Sequence, residues 1–209
     1  KCRVCGAYTE EPLHCGTPAR LLLDSASRAR LSKLMSGILR HFPEAVGLSL
    51  SEDGFADLRE LAEAVRRWER SDYSWVSEEH LAAVAKLDPK GRFEIKRGKI
   101  RARYGHSIRV RIEYELARGI SRLYHGTQEE KLEGILREGL RPRNRLYVHL
   151  TSSLEEAWSR ARRRGRPLVL VVDAEKMLEE GIPVFRASST VYLAPRVPPR
   201  YIIDVLRAA

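Results

Sequence analysis

The sequence predicts an α+β fold, and three observations carry that reading. Residues 25–107 show helical apolar spacing followed by an alternating strand pair. Residues 122–209 alternate short strands with short helices. All three cysteines fall within the first fifteen residues, apart from either pattern.

In the middle block, Leu31, Leu34, Met35, Ile38 and Leu39 recur at the spacing of one helix face. Ser25 or Ser27 is the expected cap, and Phe42-Pro43 the stop. After Leu48-Ser49-Leu50 and a turn at Asp53-Gly54, Asp57 precedes a helix carrying Leu58, Leu61, Ala62 and Val65. A third helix is expected from about Ser77 to Lys86. Arg92–Ile95 and Lys99–Arg103, joined at Arg97-Gly98, read as a hairpin. Three helices and a two-stranded wing make a winged-helix arrangement, which commonly docks nucleic acid. The alternation of Ile108, Val110, Ile112 and Tyr114 predicts a further strand leading into a connector with Gly119.

In the last block a strand is expected to end at Leu123-Tyr124-His125, with a helix over Gln128–Glu138. A strand over Tyr147–Thr151, a helix over Leu154–Arg164, a core strand over Leu168–Val172, and short strands at Val184-Phe185 and Thr190–Leu193 complete a small lobe with a split antiparallel sheet. The expected divisions are thus a knuckle at 1–24, a winged-helix lobe at 25–107, a connector at 108–121 and a mixed lobe at 122–209.

Cys2 and Cys5 form a Cys-x-x-Cys-Gly turn that suits a structural zinc ion, with Cys15 as third ligand. His14 is the candidate fourth. Neighbouring side chains rarely reach one ion together, so that position stays open. An odd cysteine count argues against a disulfide framework.

The 209 residues carry a net charge of +10, a balance that favours polyanionic partners. No apolar run approaches the roughly 20 residues that span a bilayer, and no secretory pattern opens the chain, so a cytoplasmic monomer is the expectation.

Arg40-His41 ends the first strong helix. Dipole compensation explains such a pair, and so does a grip on phosphate. From Lys90 to Ile112 there are nine basic residues against one acid, Glu94. Lys99, Arg101 and Arg103 share one strand face, a solvated basic face or a phosphate-binding wing. Gly105-His106-Ser107 can offer N–H groups and a hydroxyl to an anion. His125-Gly126-Thr127 and His149-Leu150-Thr151 each place a histidine and a hydroxyl at a strand end. Either histidine alone is more often a satisfied core residue; two in one lobe suggest a shared pocket. Of Arg160, Arg162, Arg163 and Arg164, at least one is placed to hold a pyrophosphate.

These residues together resemble a known family. Leu31-Ser32-Lys33-Leu34, Ile38-Leu39-Arg40-His41, Gly47–Leu50, Asp53-Gly54-Phe55, Ile100-Arg101-Ala102, Gly105-His106-Ser107, Tyr124–Thr127, Val148–Thr151, Arg163 to Pro167 and Val197-Pro198-Pro199 occur in the order seen in RNA 2′-phosphotransferases of the KptA type. The resemblance implies a winged-helix lobe for RNA and an ADP-ribosyltransferase-like lobe for NAD. It implies an RNA substrate with an internal 2′-phosphate, of the tRNA splice-junction kind. NAD accepts that phosphate; nicotinamide and ADP-ribose 1″,2″-cyclic phosphate leave, through an ADP-ribosylated RNA intermediate. Arg40, His41, Arg101 and Arg163 match the essential set. Lys33, Lys99, Arg103, His106 and Ser107 would meet RNA. His125, Gly126, Thr127, His149, Thr151 and Val191 would hold NAD, Val191 standing where protein-modifying relatives place a glutamate. Ala161 replaces a frequent glycine, and the cysteine knuckle is not general to the family. Two rivals remain: a transferase that stops after ADP-ribosylation, and a non-catalytic RNA-binding module with a zinc knuckle.

Overall fold

The computed structural model describes residues 1–68, 72–163 and 165–208. The chain divides into two compact units, residues 1–112 and 113–209. Among the described residues there are six α-helices and three sheets, and no helix is long and apolar enough to cross a membrane.

The first unit opens with a small hairpin, β1 (Leu13–His14) and β2 (Thr17–Pro18). Helix α1 (Ser25–Arg40) follows. Its cap is Asp24, not Ser25 or Ser27: the carboxylate accepts the Ser27 N–H at 2.8 Å and also suits the positive end of the helix dipole. The expected apolar stripe is buried. The helix stops at Arg40, three residues before Pro43, which cannot continue it. Strand β3 (Ala56–Asp57) leads into α2 (Leu58–Arg66), where Asp57 caps the N–H groups of Arg59 and Glu60. Ser77 and His80 close a capping box on α3 (Glu78–Lys86).

Strands β4 (Phe93–Lys96) and β5 (Lys99–Ala102) form the expected hairpin. The sheet order is β3-β5-β4. Strand β3 escaped the sequence reading because two residues are too short to show alternation. Leu31, Leu39, Leu61, Leu81, Phe93 and Ile100 join the three helices and this sheet in one core.

The second unit is built on a seven-stranded antiparallel sheet. Its strands are β6 (Glu115–Leu116), β7 (Arg122–Gln128), β8 (Val148–Thr151), β9 (Pro167–Asp173), β10 (Phe185–Arg186), β11 (Val191–Ala194) and β12 (Ile202–Arg207), in the order β12-β9-β7-β8-β11-β10-β6. Helices α4 (Leu132–Glu138), α5 (Leu154–Ala161) and α6 (Ala174–Glu179) belong to the same unit.

Two expectations fail here. The alternating segment 108–114 is not a strand; only Glu115–Leu116 pairs. Alternation makes a strand only where a ladder and a packing surface receive it, and these side chains stay half-exposed or exposed. Strand β7 does not end at His125 but runs to Gln128, and the helix expected over Gln128–Glu138 opens as a 3₁₀ turn at Glu129–Lys131 before becoming α-helical at Leu132. Seven residue pairs to β9, from Arg122↔Asp173 to Gln128↔Pro167, carry the strand through Gly126 and Thr127. By contrast β7 meets β8 at one pair, Tyr124↔Thr151. The sheet therefore opens just beyond that pair. Arg164 lies outside the described residues.

Candidate functional site

In the first unit, the C-terminal turn of α1 and the segment after β5 lock together. Arg40 is only 8% exposed. Its carbonyl accepts the Ser107 N–H at 3.0 Å, and its guanidinium lies 5.0 Å from the centre of the Tyr104 ring. Gly105 makes this possible. Its φ is +91°, and a Cβ there would lie 3.4 Å from three guanidinium atoms of Arg40. His41, exposed, is oriented by Ser107: Nδ1 and Oγ are 2.9 Å apart. Gly105-His106-Ser107 thus acts chiefly as a cradle for Arg40-His41.

His106 is 2% exposed, so it is a buried residue of the cradle rather than a surface contact. Burial first, then the charges of Arg40, His41 and Arg101, push its pKa down to about 4. Three basic side chains thus raise the cost of placing a proton on this one buried imidazole. A depressed histidine leaves the folded state unprotonated while the unfolded chain takes up a proton. Stability is therefore lost as pH falls from about 6.5 to about 4, by on the order of 3 kcal/mol. We expect His106→Gln to flatten this acid limb in urea midpoints taken between about pH 7 and pH 4.5. Parallel losses in both proteins would refute the assignment.

Arg101 is opposite Glu94 across the hairpin. Its Nε donates to Glu94 Oε2 at 2.8 Å, NH1 donates to the Asp53 carbonyl at 3.0 Å, and Phe55 lies under the guanidinium at 4.5 Å. Asp53-Gly54-Phe55 is thereby the clamp that sets Arg101. Arg103, exposed just past β5, bonds the Phe93 carbonyl through Nε at 3.1 Å. Lys33 and Lys99 are exposed.

In the second unit the split sheet borders a cavity of about 750 Å³. His125 to Gln128 line one side and Tyr147 to His149 another. Lys131, Arg141, Arg143 and Arg145 add four cations, against the carboxylates of Glu130 and Glu138. The sequence reading missed these arginines, although the run Arg-Pro-Arg-Asn-Arg is visible; nothing local says that it rims a cavity. His125 Nδ1 is 2.9 Å from the His149 carbonyl, which can only accept, so the proton sits on Nδ1. Burial lowers the His125 pKa; the His149 carbonyl opposes this, and Arg160 and Lys131 add to it. The ring is neutral and offers Nε2 as an acceptor. His149 bonds the Tyr147 carbonyl in the same manner, at 3.1 Å.

The remaining assignments separate. Gly126 lines the cavity, but its missing side chain answers to α5: a Cβ would lie 2.0 Å from the Ala157 carbonyl oxygen. Thr127 and Val191 are buried in the sheet. Thr151 is buried too, donating to Glu156 at 3.2 Å and accepting the Ser153 N–H. Arg163 is exposed just past α5 and does not line this cavity. Arg160 pairs with Glu156 at 3.5 Å and Arg162 stacks on Trp158 at 5.9 Å. Cys2, Cys5, His14 and Cys15 gather at the other end of the sequence, their ligand atoms within 4.8 Å of one another.

Each unit thus brings basic side chains together with a histidine held by a hydrogen bond, a donor set that suits anionic ligands. The family described as RNA 2′-phosphotransferase, Tpt1 / KptA family, matches residues 26–196. A protein of Hyperthermus butylicus named "Probable RNA 2′-phosphotransferase" is 50% identical over 97% of this chain and 90% of its own. Similarly named proteins of Pyrobaculum aerophilum (47% identity, 99% and 95% covered) and Aeropyrum pernix (45%, 97% and 91%) agree. The chain belongs to the RNA 2′-phosphotransferase family.

Proposed function

We propose that this chain is an NAD-dependent RNA 2′-phosphotransferase, removing an internal 2′-phosphate from RNA of the tRNA splice-junction type. The cradle around Arg40-His41 is the observation that carries this reading. A buried, pre-set guanidinium beside an oriented imidazole suits a phosphate that must be held through two successive reactions. The helix, strand, two helices and hairpin of the first unit, with strand order β3-β5-β4, support a winged-helix RNA-binding lobe. Lys33, Lys99 and Arg103 are the side chains assigned to the RNA backbone.

The split antiparallel sheet supports an ADP-ribosyltransferase-like reading of the second unit. NAD fits the donor set there. The cavity has the size of a nucleotide site, and Arg141, Arg143, Arg145 and Lys131 suit a pyrophosphate. His125, as a neutral ring, and His149 would hold the riboses or nicotinamide. NAD supplies an electrophilic ribose carbon and a leaving nicotinamide. Arg40, Arg101 and Arg163 neutralise the phosphate that attacks that carbon. In the second step they stabilise charge on its equatorial oxygens as the ribose 2″-hydroxyl takes the phosphorus and the RNA 2′-hydroxyl departs. His41 carries the proton or hydrogen-bond work at the transferring phosphate. A structural metal at the cysteine cluster would stand outside this chemistry.

The test mixes the protein, NAD and an RNA bearing one internal 2′-phosphate. Nicotinamide, RNA 2′-hydroxyl and ADP-ribose 1″,2″-cyclic phosphate should appear in equal amounts. A stable ADP-ribosyl adduct, or binding without nicotinamide release, would reject the proposal.

A further inference from the structure

We propose that Cys2, Cys5, His14 and Cys15 bind one Zn²⁺ in a closed tetrahedral site that holds residues 1–24 as a folded knuckle against α1 and α3. Four ligand atoms cluster within 4.8 Å, and the three edges among Cys5, His14 and Cys15 are close to those of a zinc tetrahedron. Zn–S bonds of about 2.3 Å and Zn–N bonds of about 2.0–2.1 Å put sulfur pairs about 3.8 Å apart and sulfur–nitrogen pairs about 3.5 Å apart. Cys5 and Cys15 Sγ are 3.7 Å apart, and His14 Nδ1 lies 3.6 Å from Cys5 Sγ and 3.2 Å from Cys15 Sγ. Cys2 Sγ faces the N–H groups of Val4 and Cys5 at 3.3 and 3.5 Å, which stabilise a thiolate.

The backbone is bent to suit. Neighbouring side chains reach one ion here because Cys15 and Gly16, the two-residue loop between β1 and β2, both have positive φ, +52° and +70°. That loop is the tight hairpin kind in which asparagine or glycine is usual, and a cysteine there is strained without a reason to stay. A zinc thiolate supplies the reason. Gly6, also at positive φ (+72°), closes the Cys-x-x-Cys turn.

Little apolar burial holds this segment: only near its end does Leu23, half-buried, pack against the core of the first unit. Among residues 1–24, Cys2 alone is buried. Yet the segment is docked by charge. Lys1 Nζ contacts Glu79 of α3 at 2.8 Å, Arg20 pairs with the same carboxylate, and Glu10 pairs with Arg28 of α1. Lys1 and Arg20 meet that carboxylate together because the Arg20 N–H donates to the Lys1 carbonyl at 2.8 Å, and a four-ligand site between them would pin the loop that this contact closes. All four positions are protein ligands, so the ion is structural. Three thiols and an imidazole favour zinc over harder cations.

The full chain, purified without added metal, should carry about one zinc per molecule by elemental analysis. After chelation, Co²⁺ alone should restore the intense visible bands of a thiolate-rich tetrahedral centre, and Zn²⁺ should bleach them. Cys5→Ser and His14→Ala should each weaken Co²⁺ binding by at least about 100-fold. Glu79→Gln should keep the metal but speed proteolysis within residues 1–24, which tests docking without touching a ligand. Substoichiometric metal with a faint, octahedral cobalt spectrum would overturn the proposal. So would a thiol count of one, which marks a Cys5–Cys15 or similar disulfide. These readouts do not depend on phosphate transfer.

Discussion

Arg40→Ala is expected to slow removal of the RNA 2′-phosphate by about 100- to 1,000-fold, the usual loss when one pre-set charge donor is removed. ADP-ribosylated RNA should accumulate, because the second step develops charge on phosphate oxygens that only fixed cations meet. His41→Ala and Arg163→Ala should trap the same adduct. Arg40→Lys keeps the charge and loses the planar fork, so it should recover only part of the rate. Arg40 is buried, so thermal unfolding must be read in parallel. A folded Arg40→Ala protein that turns over at the wild-type rate, with no adduct, would remove Arg40 from the site.

Gly126→Ala should cost about 3 kcal/mol or more, at the upper end for overpacking, because the clash is with backbone. The added Cβ would lie 2.0 Å from the Ala157 carbonyl oxygen and 3.0 Å from the Ala161 nitrogen. Neither atom can rotate away. Helix α5 must shift off β7, and β7 carries His125 at the cavity wall. Urea unfolding reads the loss. NAD binding should weaken with it, since α5 also covers the strand that lines the pocket. An unchanged unfolding midpoint would show that α5 yields easily and that Gly126 serves the ligand alone.

What was legible follows from range. The helices over 25–40, 58–66 and 78–86 announce themselves through apolar stripes and caps that lie within one or two turns. The core strand Pro167–Asp173 carries the unbroken apolar run Leu168–Val172, buried as such a run must be. Segment 108–114 alternates as well as many strands do, yet no neighbour offers it a ladder. Strand β7 outran its local pattern because β9 pairs with it residue by residue. The roles of Gly105 and Gly126 were equally hidden, since each glycine is explained by an atom far away in sequence.

By itself the sequence determined the family, the helical stripes, the Arg40-His41 pair and the group of thiols with His14, because each is a matter of residue type at short spacing. Only the tertiary structure decided that β7 parts from β8 beyond one pair, that Arg141, Arg143 and Arg145 rim the resulting cavity, and that His106 is buried beneath its own motif. These depend on which distant strands satisfy each other's N–H and C=O groups and on what is left uncovered once they have. Side-chain periodicity carries no record of that choice.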